Sequence, residues 1–232
     1  MSIKSSIKAL TKFEIGLWLV SAVTVTLSYV FSSEKDILTL ISSLIGVTAL
    51  IFVAKGLPLG QALTVIFAVF YGIVSIKFHY YGELITYLCM TAPAAVASLI
   101  SWLRHPYKDS EVVEVGRMTL PKTFVMIAAS IFVTTAFYFI LSALGTENLI
   151  VSTLSVLTSF LASYLAFMRN PFYAVAYAFN DVVLIILWIL AAIEDISYLP
   201  MIACFLAFLA NDIYGFFNWK SIGRNQKEEN SK

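Results

Sequence analysis

The chain contains 232 residues, of which 60% are hydrophobic and only 12% are charged, and its mean hydropathy is +0.88. These values exclude an ordinary water-soluble domain and indicate an integral membrane protein. The net charge of +1 is too close to zero to favour nucleic acid as a partner.

Eight membrane spans are predicted by a window of roughly 19 residues, the length that crosses a bilayer as a helix. The predicted fold class is therefore an all-α integral membrane protein with eight transmembrane helices. In chain order, the predicted spans are residues 13–31, 37–54, 58–77, 84–103, 121–144, 149–168, 171–193 and 197–219.

The basic residues predict the orientation of these spans. If the N-terminus is cytoplasmic, thirteen of the fifteen lysines and arginines lie on the cytoplasmic side, and only Lys35 and Lys77 lie outside. Because cytoplasmic loops retain basic residues, this distribution predicts that both termini are cytoplasmic. The inner loop of residues 104–122 is predicted to be a solvated linker.

The cysteines and histidines give no reason to expect a metal or another cofactor. Cys89 and Cys204 fall within predicted spans, where packing is favoured over a disulfide or a metal site. His79 and His105 are predicted on opposite sides of the membrane, so they cannot share a metal ion. A phosphate-binding loop of the G-x-x-x-x-G-K-[ST] type is also missing from the sequence, which argues against direct use of ATP.

An internal repeat relates residues 40–102 to residues 149–219. Each segment has an apolar helix, a basic residue, a proline, a second helix, an acidic outer loop and a third helix that ends in tryptophan. One helix connects the segments, so the two three-helix units are predicted to point the same way across the membrane, as in transporters built from parallel repeats. The predicted divisions are an N-terminal segment with an extra helix (1–36), a first unit (37–104), a loop and connecting helix (105–148), a second unit (149–220) and a cytoplasmic tail (221–232).

Two acids inside apolar spans are the strongest functional signal in the sequence. Asp181 and Asp212 each follow an asparagine deep in a predicted span. Carboxylates are costly in the hydrocarbon core and usually face a polar pathway. The pair therefore predicts a transport route or a binding site within the membrane.

Polar and aromatic stripes run along three of the predicted helices. In the seventh span, Tyr177, Asp181 and Trp188 fall in one narrow sector at 100° per residue. The eighth span and the third span carry similar stripes, and we expect all three to face a shared centre. The residues predicted to bind a substrate are Gln61, Tyr71, Tyr177, Asn180, Asp181, Trp188, Asn211, Asp212, Tyr214 and Asn218.

These side chains suit a small molecule with a flat ring and several hydroxyl groups, because rings stack on Trp or Tyr while amides and carboxylates bind hydroxyls. A cationic ring would also be attracted to the carboxylates and to the aromatic faces. Each asparagine could instead join two helices by a hydrogen bond. Trp188 could serve either the site or packing, whereas Trp102 and Trp219 are predicted to anchor the protein at the membrane interface.

The stretches QALTVIFAVFYG, NDVVLIILW and YLPMIACFLAFLANDIYGFFNWK resemble the PnuC family of vitamin transporters. The resemblance implies a 3+1+3 helical core related to the SWEET proteins, an extra N-terminal helix and a homotrimer in the plasma membrane. It also implies facilitated uptake of nicotinamide riboside by alternating access, with intracellular phosphorylation trapping the product. Relatives that carry thiamine, riboflavin or deoxynucleosides make these vitamins and nucleosides alternative substrates.

One departure from the family pattern bears on the substrate. Family members that carry nicotinamide riboside have two tryptophans three residues apart, but Trp188 has Ile185 before it and Ala191 after it. A different nucleoside or vitamin therefore stays open. A membrane-embedded enzyme that uses the two acids is a remote alternative, since neither acid has a recognisable nucleophile beside it in the sequence.

Overall fold

The computed structural model describes residues 6, 8–31, 37–77, 81–146, 148–194 and 199–231, and the regular structure in these ranges is helical. The helices are α1 (Lys12–Phe31), α2 (Ile37–Ala54), α3 (Pro58–Lys77), α4 (Tyr81–Thr86), α5 (Ala92–Arg104), α6 (Leu120–Ala143), α7 (Leu149–Phe167), α8 (Phe172–Glu194) and α9 (Leu199–Asn230). A π-helical segment, Tyr87–Thr91, joins α4 to α5.

The predicted membrane architecture is confirmed. Within the described ranges, 8 helical segments are long and apolar enough to cross a membrane, α4, the π segment and α5 together forming one of them. Most predicted ends lie within a few residues of the observed ends, but α9 continues beyond Trp219 to Asn230. Several residues used in the predictions lie outside the described part of the chain: Lys4, Lys35, His79, Ser197 and Lys232.

The fourth span is interrupted because of a proline. Pro93 has no backbone N–H to donate, and its ring crowds the carbonyl group four residues before it. The chain adapts by widening, and the Ala92 N–H donates to the Tyr87 carbonyl, five residues back. This widened turn places Tyr87 and Thr91 on the inner side of the helix, where the cavity described below is found.

The two predicted three-helix units pack in a reciprocal way. α2 packs on α3 and α3 on α5, while α7 packs on α8 and α8 on α9. Between the units, α9 packs on α2 and α5 packs on α7, so the third helix of each unit contacts the first helix of the other. The connecting helix α6 packs on α7, and the extra helix α1 packs on α2 and α9. Such reciprocity is expected of a repeat, and the parallel repeat itself stays a prediction.

Since the spans alternate in direction, the start of α1 and the ends of α2, α5 and α7 lie at one face, which we call the tail face. Trp102 and Trp219 lie near this face, but both are fully buried, with 0% exposure. The indole N–H of Trp102 donates to the Ala166 carbonyl at 2.8 Å, and that of Trp219 donates to the Val53 carbonyl at 2.9 Å. The prediction that they anchor the protein in the interface is therefore wrong, because their polar edges bind backbone groups inside the protein.

The inner loop is not the solvated linker that was predicted. We call residues 105–119 the strap, because they cross the tail face between the two units. The Val113 N–H donates to the Gly56 carbonyl after α2, and the Gly116 N–H donates to the Arg169 carbonyl after α7, both at 2.9 Å. Val113 is 1% exposed. The strap thus makes the same kind of hydrogen bond at equivalent turns of both units.

The part of α9 that follows Trp219 binds the strap through hydrogen bonds. The Gln226 side chain accepts from the Val115 N–H at 2.9 Å and donates to the Val113 carbonyl at 3.0 Å. On the surface, Lys108 pairs with Glu229 at 2.8 Å, and this carboxylate raises the pKa of the exposed lysine. Residues 221–230, predicted to be part of a cytoplasmic tail, are therefore a packed continuation of the last helix.

The extra helix α1 is attached through a buried glutamate. Glu14 is 0% exposed and pairs with Lys55, its Oε2 atom lying 3.0 Å from Nζ. It also accepts from the Tyr214 hydroxyl at 2.7 Å and from the Thr11 N–H at 2.6 Å. Since the Glu14 N–H in turn donates to Thr11 Oγ1 at 3.2 Å, the two residues form a capping box at the start of α1.

Candidate functional site

A cavity of about 460 Å³ lies between the two three-helix units. Helices α2 and α3 and the π segment line it from the first unit, while α7, α8 and α9 line it from the second. Its volume falls in the range of roughly 300–1,000 Å³ that is typical of small-molecule sites. The cavity lies where the sequence places a shared polar centre.

The cavity extends toward the face opposite the tail face. Gly145, Thr146 and Asn148, which belong to the connection between α6 and α7, form part of its wall. On the tail side the cavity meets a buried cluster that includes Trp102, Trp219, Tyr173, Val53 and Ala166. The protein therefore adopts a conformation in which the tail face is closed.

The two acids predicted from the sequence meet inside this cavity. Asp181 on α8 is 3% exposed and Asp212 on α9 is 4% exposed, and both line the wall. Their carboxyl groups adjoin each other in this wall. The Oδ2 atom of Asp181 is buried without a hydrogen-bond partner among the described residues. Because a buried polar atom is costly to leave unpaired, this oxygen is a position that a ligand can satisfy.

Two other predicted residues of α8 are held in place by α7. The Asn180 carbonyl oxygen accepts from the Thr158 hydroxyl at 2.9 Å, and the Tyr177 hydroxyl lies 3.0 Å from the Ser163 hydroxyl. Both Asn180 and Tyr177 line the cavity. The contact with Thr158 leaves the amide nitrogen of Asn180 available to a ligand.

Gln61 and Trp188 reach the cavity from opposite units. Gln61, near the start of α3, is 5% exposed, and Trp188, in the second half of α8, is 8% exposed. Trp188 packs with Leu184 of its own helix and with Phe205 of α9. One amide and one large flat ring therefore border the same space.

The other four predicted residues, Tyr71, Asn211, Tyr214 and Asn218, do not line the cavity. Asn211 donates to the Ser21 hydroxyl on α1 at 2.8 Å, and Asn218 donates to the Ala54 carbonyl at 2.9 Å. Tyr214 binds Glu14, as described above, and Tyr71 packs behind Tyr87 with ring centroids 4.4 Å apart. Asn211, Asn218 and Tyr214 thus join helices by hydrogen bonds, which is the alternative role of such polar residues in membrane proteins.

Among the lining residues that the sequence did not predict are some of the π segment and of α7. Tyr87 became a lining residue through the turn before Pro93, which the sequence signals only indirectly. Ser152, Ser155 and Ser159 line the cavity from one side of α7. Their spacing of three and four residues is a helical stripe, and this signal was present in the sequence.

Aromatic rings form a wall that continues from one unit to the other. Phe67 lies 5.8 Å from Tyr87 and 6.4 Å from Phe208, and Phe208 lies 5.6 Å from Phe205, measured between ring centroids. All four line the cavity. Rings at these separations offer edges and faces against which a flat ligand can pack.

The charged groups of the site are acidic. The described residues that line the cavity include Asp181 and Asp212 but no lysine, arginine or histidine. Groups of three or more metal-ligating side chains are also missing from the described ranges. The donor set is that of a site for an organic molecule with hydroxyl, amide or cationic groups.

Comparisons with known proteins agree with this arrangement. The sequence pattern of a family described as "Nicotinamide mononucleotide transporter" matches residues 36–221. A protein of Neisseria mucosa named "Nicotinamide riboside transporter PnuC" is 24% identical over 218 residues, which are 91% of this chain and 82% of that protein. The crystal structure of the "Vitamin B3 transporter PnuC" has a TM-score of 0.81 at 22% identity and covers 97% of this chain and 100% of that chain. This structural similarity establishes that the two chains share one fold.

Proposed function

The chain belongs to the nicotinamide mononucleotide transporter family, and from this membership we propose that it carries nicotinamide riboside across the plasma membrane. The protein is a multi-pass membrane protein, and the relative from Neisseria mucosa is named a nicotinamide riboside transporter. The observation that carries the proposal is the cavity between the two units, where amide, hydroxyl and carboxyl groups face a wall of aromatic rings.

The proposed binding residues are those predicted residues that line the cavity, together with the aromatic wall. The nicotinamide ring would pack against Trp188 or the neighbouring rings, while Gln61 and Asn180 would bind the amide or the ribose hydroxyls. The full set is Gln61, Tyr177, Asn180, Asp181, Trp188 and Asp212, with Phe67, Tyr87, Phe205 and Phe208.

Transport would proceed by alternating access. The cavity extends away from the tail face, and the cluster around Trp102 and Trp219 closes the tail side. A second conformation would separate this cluster and close the opposite side, as expected when two packed units rock about a central site. We place both termini and the tail face in the cytoplasm, on the strength of the basic residues.

The direction of net uptake would follow from the substrate gradient, so the protein would be a facilitator. It would move the substrate without changing it chemically and would therefore not be an enzyme. Phosphorylation of the substrate inside the cell would keep its free concentration low. We further propose that three copies assemble as a homotrimer in the lipid bilayer. Exposed apolar side chains such as Phe124, Phe132 and Phe139 on α6 are available to lipid or to neighbouring copies.

A related nucleoside or vitamin is the alternative substrate. The second tryptophan of the family pattern is missing, and Ile185 and Ala191 pack beside Trp188 in its place. A deoxynucleoside, thiamine or riboflavin would find the same types of polar and aromatic groups. A carboxylate-dependent enzyme remains the remote alternative, because the two acids adjoin each other.

Uptake into liposomes tests the proposal. Purified protein is reconstituted, and the entry of radiolabelled nicotinamide riboside is compared with that into protein-free liposomes. We expect saturable uptake, competition by unlabelled substrate and recovery of the label as unchanged nicotinamide riboside. Chemical conversion of the label would favour the enzyme. Uptake of thiamine, riboflavin or a deoxynucleoside without uptake of nicotinamide riboside would overturn the substrate assignment.

A further inference from the structure

A second concave surface, which we call the lateral groove, lies between α8 and α9. It has a volume of about 360 Å³, and among its lining residues only Asp212 also borders the central cavity. Small side chains account for the groove. Ala174 and Ala178, four residues apart and thus on one side of α8, line it opposite Ile213 and Phe216 of α9. Because a methyl group fills little of the space between two helices, the two helices leave a channel there.

The lateral groove is apolar and faces the bilayer. Its lining is hydrophobic apart from Asp212. Phe179 of α8 and Phe217 of α9 also line it, and they are 64% and 66% exposed. Since both helices span the membrane, these rings lie in hydrocarbon. Residues 174–182 of α8 border the groove, a rise of roughly 12 Å at about 1.5 Å per residue. A long, narrow, apolar channel of this kind fits an extended acyl chain.

A cation lies at the tail-face end of the lateral groove. Lys220 is on α9 one turn beyond Phe216, and its Nζ atom lies 5.5 Å from the centroid of the Phe216 ring. The same atom lies 4.8 Å from the ring centroid of Phe172, at the start of α8. Lys220 is exposed and forms no ion pair with a carboxylate of the described residues. Because α9 leaves the membrane here, the ammonium group lies at the level of the lipid headgroups.

We infer that the lateral groove binds one phospholipid of the tail-side leaflet, with an acyl chain between α8 and α9 and the phosphate of an anionic headgroup at Lys220. The apolar channel matches the chain, and the cation lies at the end where the phosphate would be. A zwitterionic headgroup carries its own cation beside the phosphate, which offsets the attraction to lysine. Anionic lipids should therefore bind more tightly. The inference does not depend on which substrate the central cavity carries.

Native mass spectrometry of the purified full-length protein tests the inference. The protein is incubated with equal amounts of phosphatidylglycerol, which is anionic, and phosphatidylcholine, which is zwitterionic, both with the same acyl chains. The lipids that stay bound are then counted.

Two variants, each with a matched control, separate the headgroup from the chain. Lys220→Gln removes the cation, and Lys122→Gln is its control, because Lys122 is an exposed lysine at the tail-face start of α6. Ala178→Phe fills the lateral groove, and Ala128→Phe is its control at an exposed position of α6. Neither control residue lines the groove.

We expect the wild-type protein to retain phosphatidylglycerol over phosphatidylcholine by about fivefold, which corresponds to about 1 kcal/mol for one lysine near anionic headgroups. In Lys220→Gln this ratio should fall below about twofold, whereas Lys122→Gln should keep it. Ala178→Phe should lose most of both lipids, because its ring occupies the space of the acyl chain, and Ala128→Phe should retain them. A Tm close to that of the wild-type protein shows that each variant is folded.

Several results would overturn the inference. A wild-type ratio below about twofold would remove the preference for an anionic headgroup, whether or not the variants fold. A ratio that persists in Lys220→Gln would place the headgroup elsewhere. Unchanged lipid binding in Ala178→Phe would place the chain outside the lateral groove. If that variant also dissociates an oligomer, the groove belongs to a contact with a second copy of the chain.

Discussion

Trp102 and Trp219 touch each other at the centre of the tail face, with ring centroids 5.1 Å apart and ring planes at 52°. Each indole donates to the second-last residue of the first helix in the opposite unit, Ala166 for Trp102 and Val53 for Trp219. The contact thus joins the units in a nearly symmetric way. We propose that this pair is the element that must separate when the tail face opens.

Replacing Trp219 by phenylalanine should weaken closure of the tail face. The variant keeps an aromatic ring but removes the indole N–H that donates to the Val53 carbonyl. Because this carbonyl still accepts from the Gly56 N–H at 2.9 Å and from the Tyr173 hydroxyl at 3.4 Å, the cost is that of one hydrogen bond, about 0.5–1.5 kcal/mol. We expect a lower Tm and an altered maximal rate of uptake into liposomes, since the closed conformation loses stability relative to the open one.

The matched control for Trp219→Phe is Trp18→Phe. The Trp18 indole donates to Thr48 at 3.0 Å between α1 and α2, away from the contact between the units. This control should lower the Tm without changing the transport rate. Equal effects of the two variants on transport would mean that the tryptophan pair has no special role in opening.

Removing the hydroxyl that holds Asn180 should weaken substrate binding. Thr158→Val keeps the shape of the side chain but removes the 2.9 Å hydrogen bond to the Asn180 carbonyl oxygen. If Asn180 is no longer oriented, the binding free energy should weaken by about 1 kcal/mol, which corresponds to a rise in Kd of roughly fivefold. The Kd for nicotinamide riboside, measured by calorimetry, checks this expectation.

Thr153→Val serves as the control for Thr158→Val on the same helix. The Thr153 hydroxyl donates only to the Leu149 carbonyl of its own helix among the described contacts, at 2.7 Å, and it does not line the cavity. Its Kd should equal that of the wild-type protein. An unchanged Kd in Thr158→Val would show that the orientation of Asn180 by Thr158 does not contribute to substrate binding.

Adding a methyl group at Gly116 should displace the strap. A Cβ atom there would lie 2.1 Å from the Met168 carbonyl oxygen, so the strap must move away from the turn after α7. Overpacking of this kind typically costs roughly 1–3 kcal/mol. We expect Gly116→Ala to lower the Tm and to increase proteolytic cleavage of the strap.

Gly223→Ala is the corresponding control, because Gly223 lies on α9 next to Val115 of the strap. Its new Cβ atom would meet Val115 at 3.4 Å, an ordinary contact, and alanine favours a helix more than glycine does. The Tm should therefore stay the same or rise slightly. A Tm that is unchanged in Gly116→Ala would contradict the close packing of the strap against the second unit.

Breaking the buried ion pair of α1 should destabilise the protein without removing the binding site. Lys55→Met leaves the Glu14 carboxylate, which is 0% exposed, without its cationic partner. Loss of one partner of a fully buried pair costs roughly 3–5 kcal/mol, and the 20% exposure of the Lys55 side chain reduces this value.

The double variant Glu14→Gln with Lys55→Met separates charge from packing. Because no buried charge is then left alone, we expect the double variant to be more stable than Lys55→Met in a thermal unfolding measurement. The Kd for nicotinamide riboside should stay within about twofold of the wild-type value in both variants. A double variant less stable than Lys55→Met would show that the Glu14 carboxylate stabilises α1 even without Lys55, through its hydrogen bonds to Tyr214 and Thr11.

The membrane spans and the unusual position of the two acids within them could be read from the sequence. Hydropathy sums over about 19 neighbouring residues, so a span is a local property that needs no knowledge of distant contacts. Asp181 and Asp212 stand out for the same reason, since a charge within an apolar segment is visible wherever that segment lies in the fold.

Only the tertiary structure decided which sides of the helices face the cavity. On α9, Asn211 and Asp212 are neighbours, but they point about 100° apart, so one binds α1 and the other enters the cavity. Periodicity defines the faces of a helix without saying which neighbour each face will meet. The indole bonds of Trp102 and Trp219 span 64 and 166 residues of chain, and the strap bonds likewise join distant segments. Such contacts arise from the packing of whole helices, and no local pattern in the sequence encodes them.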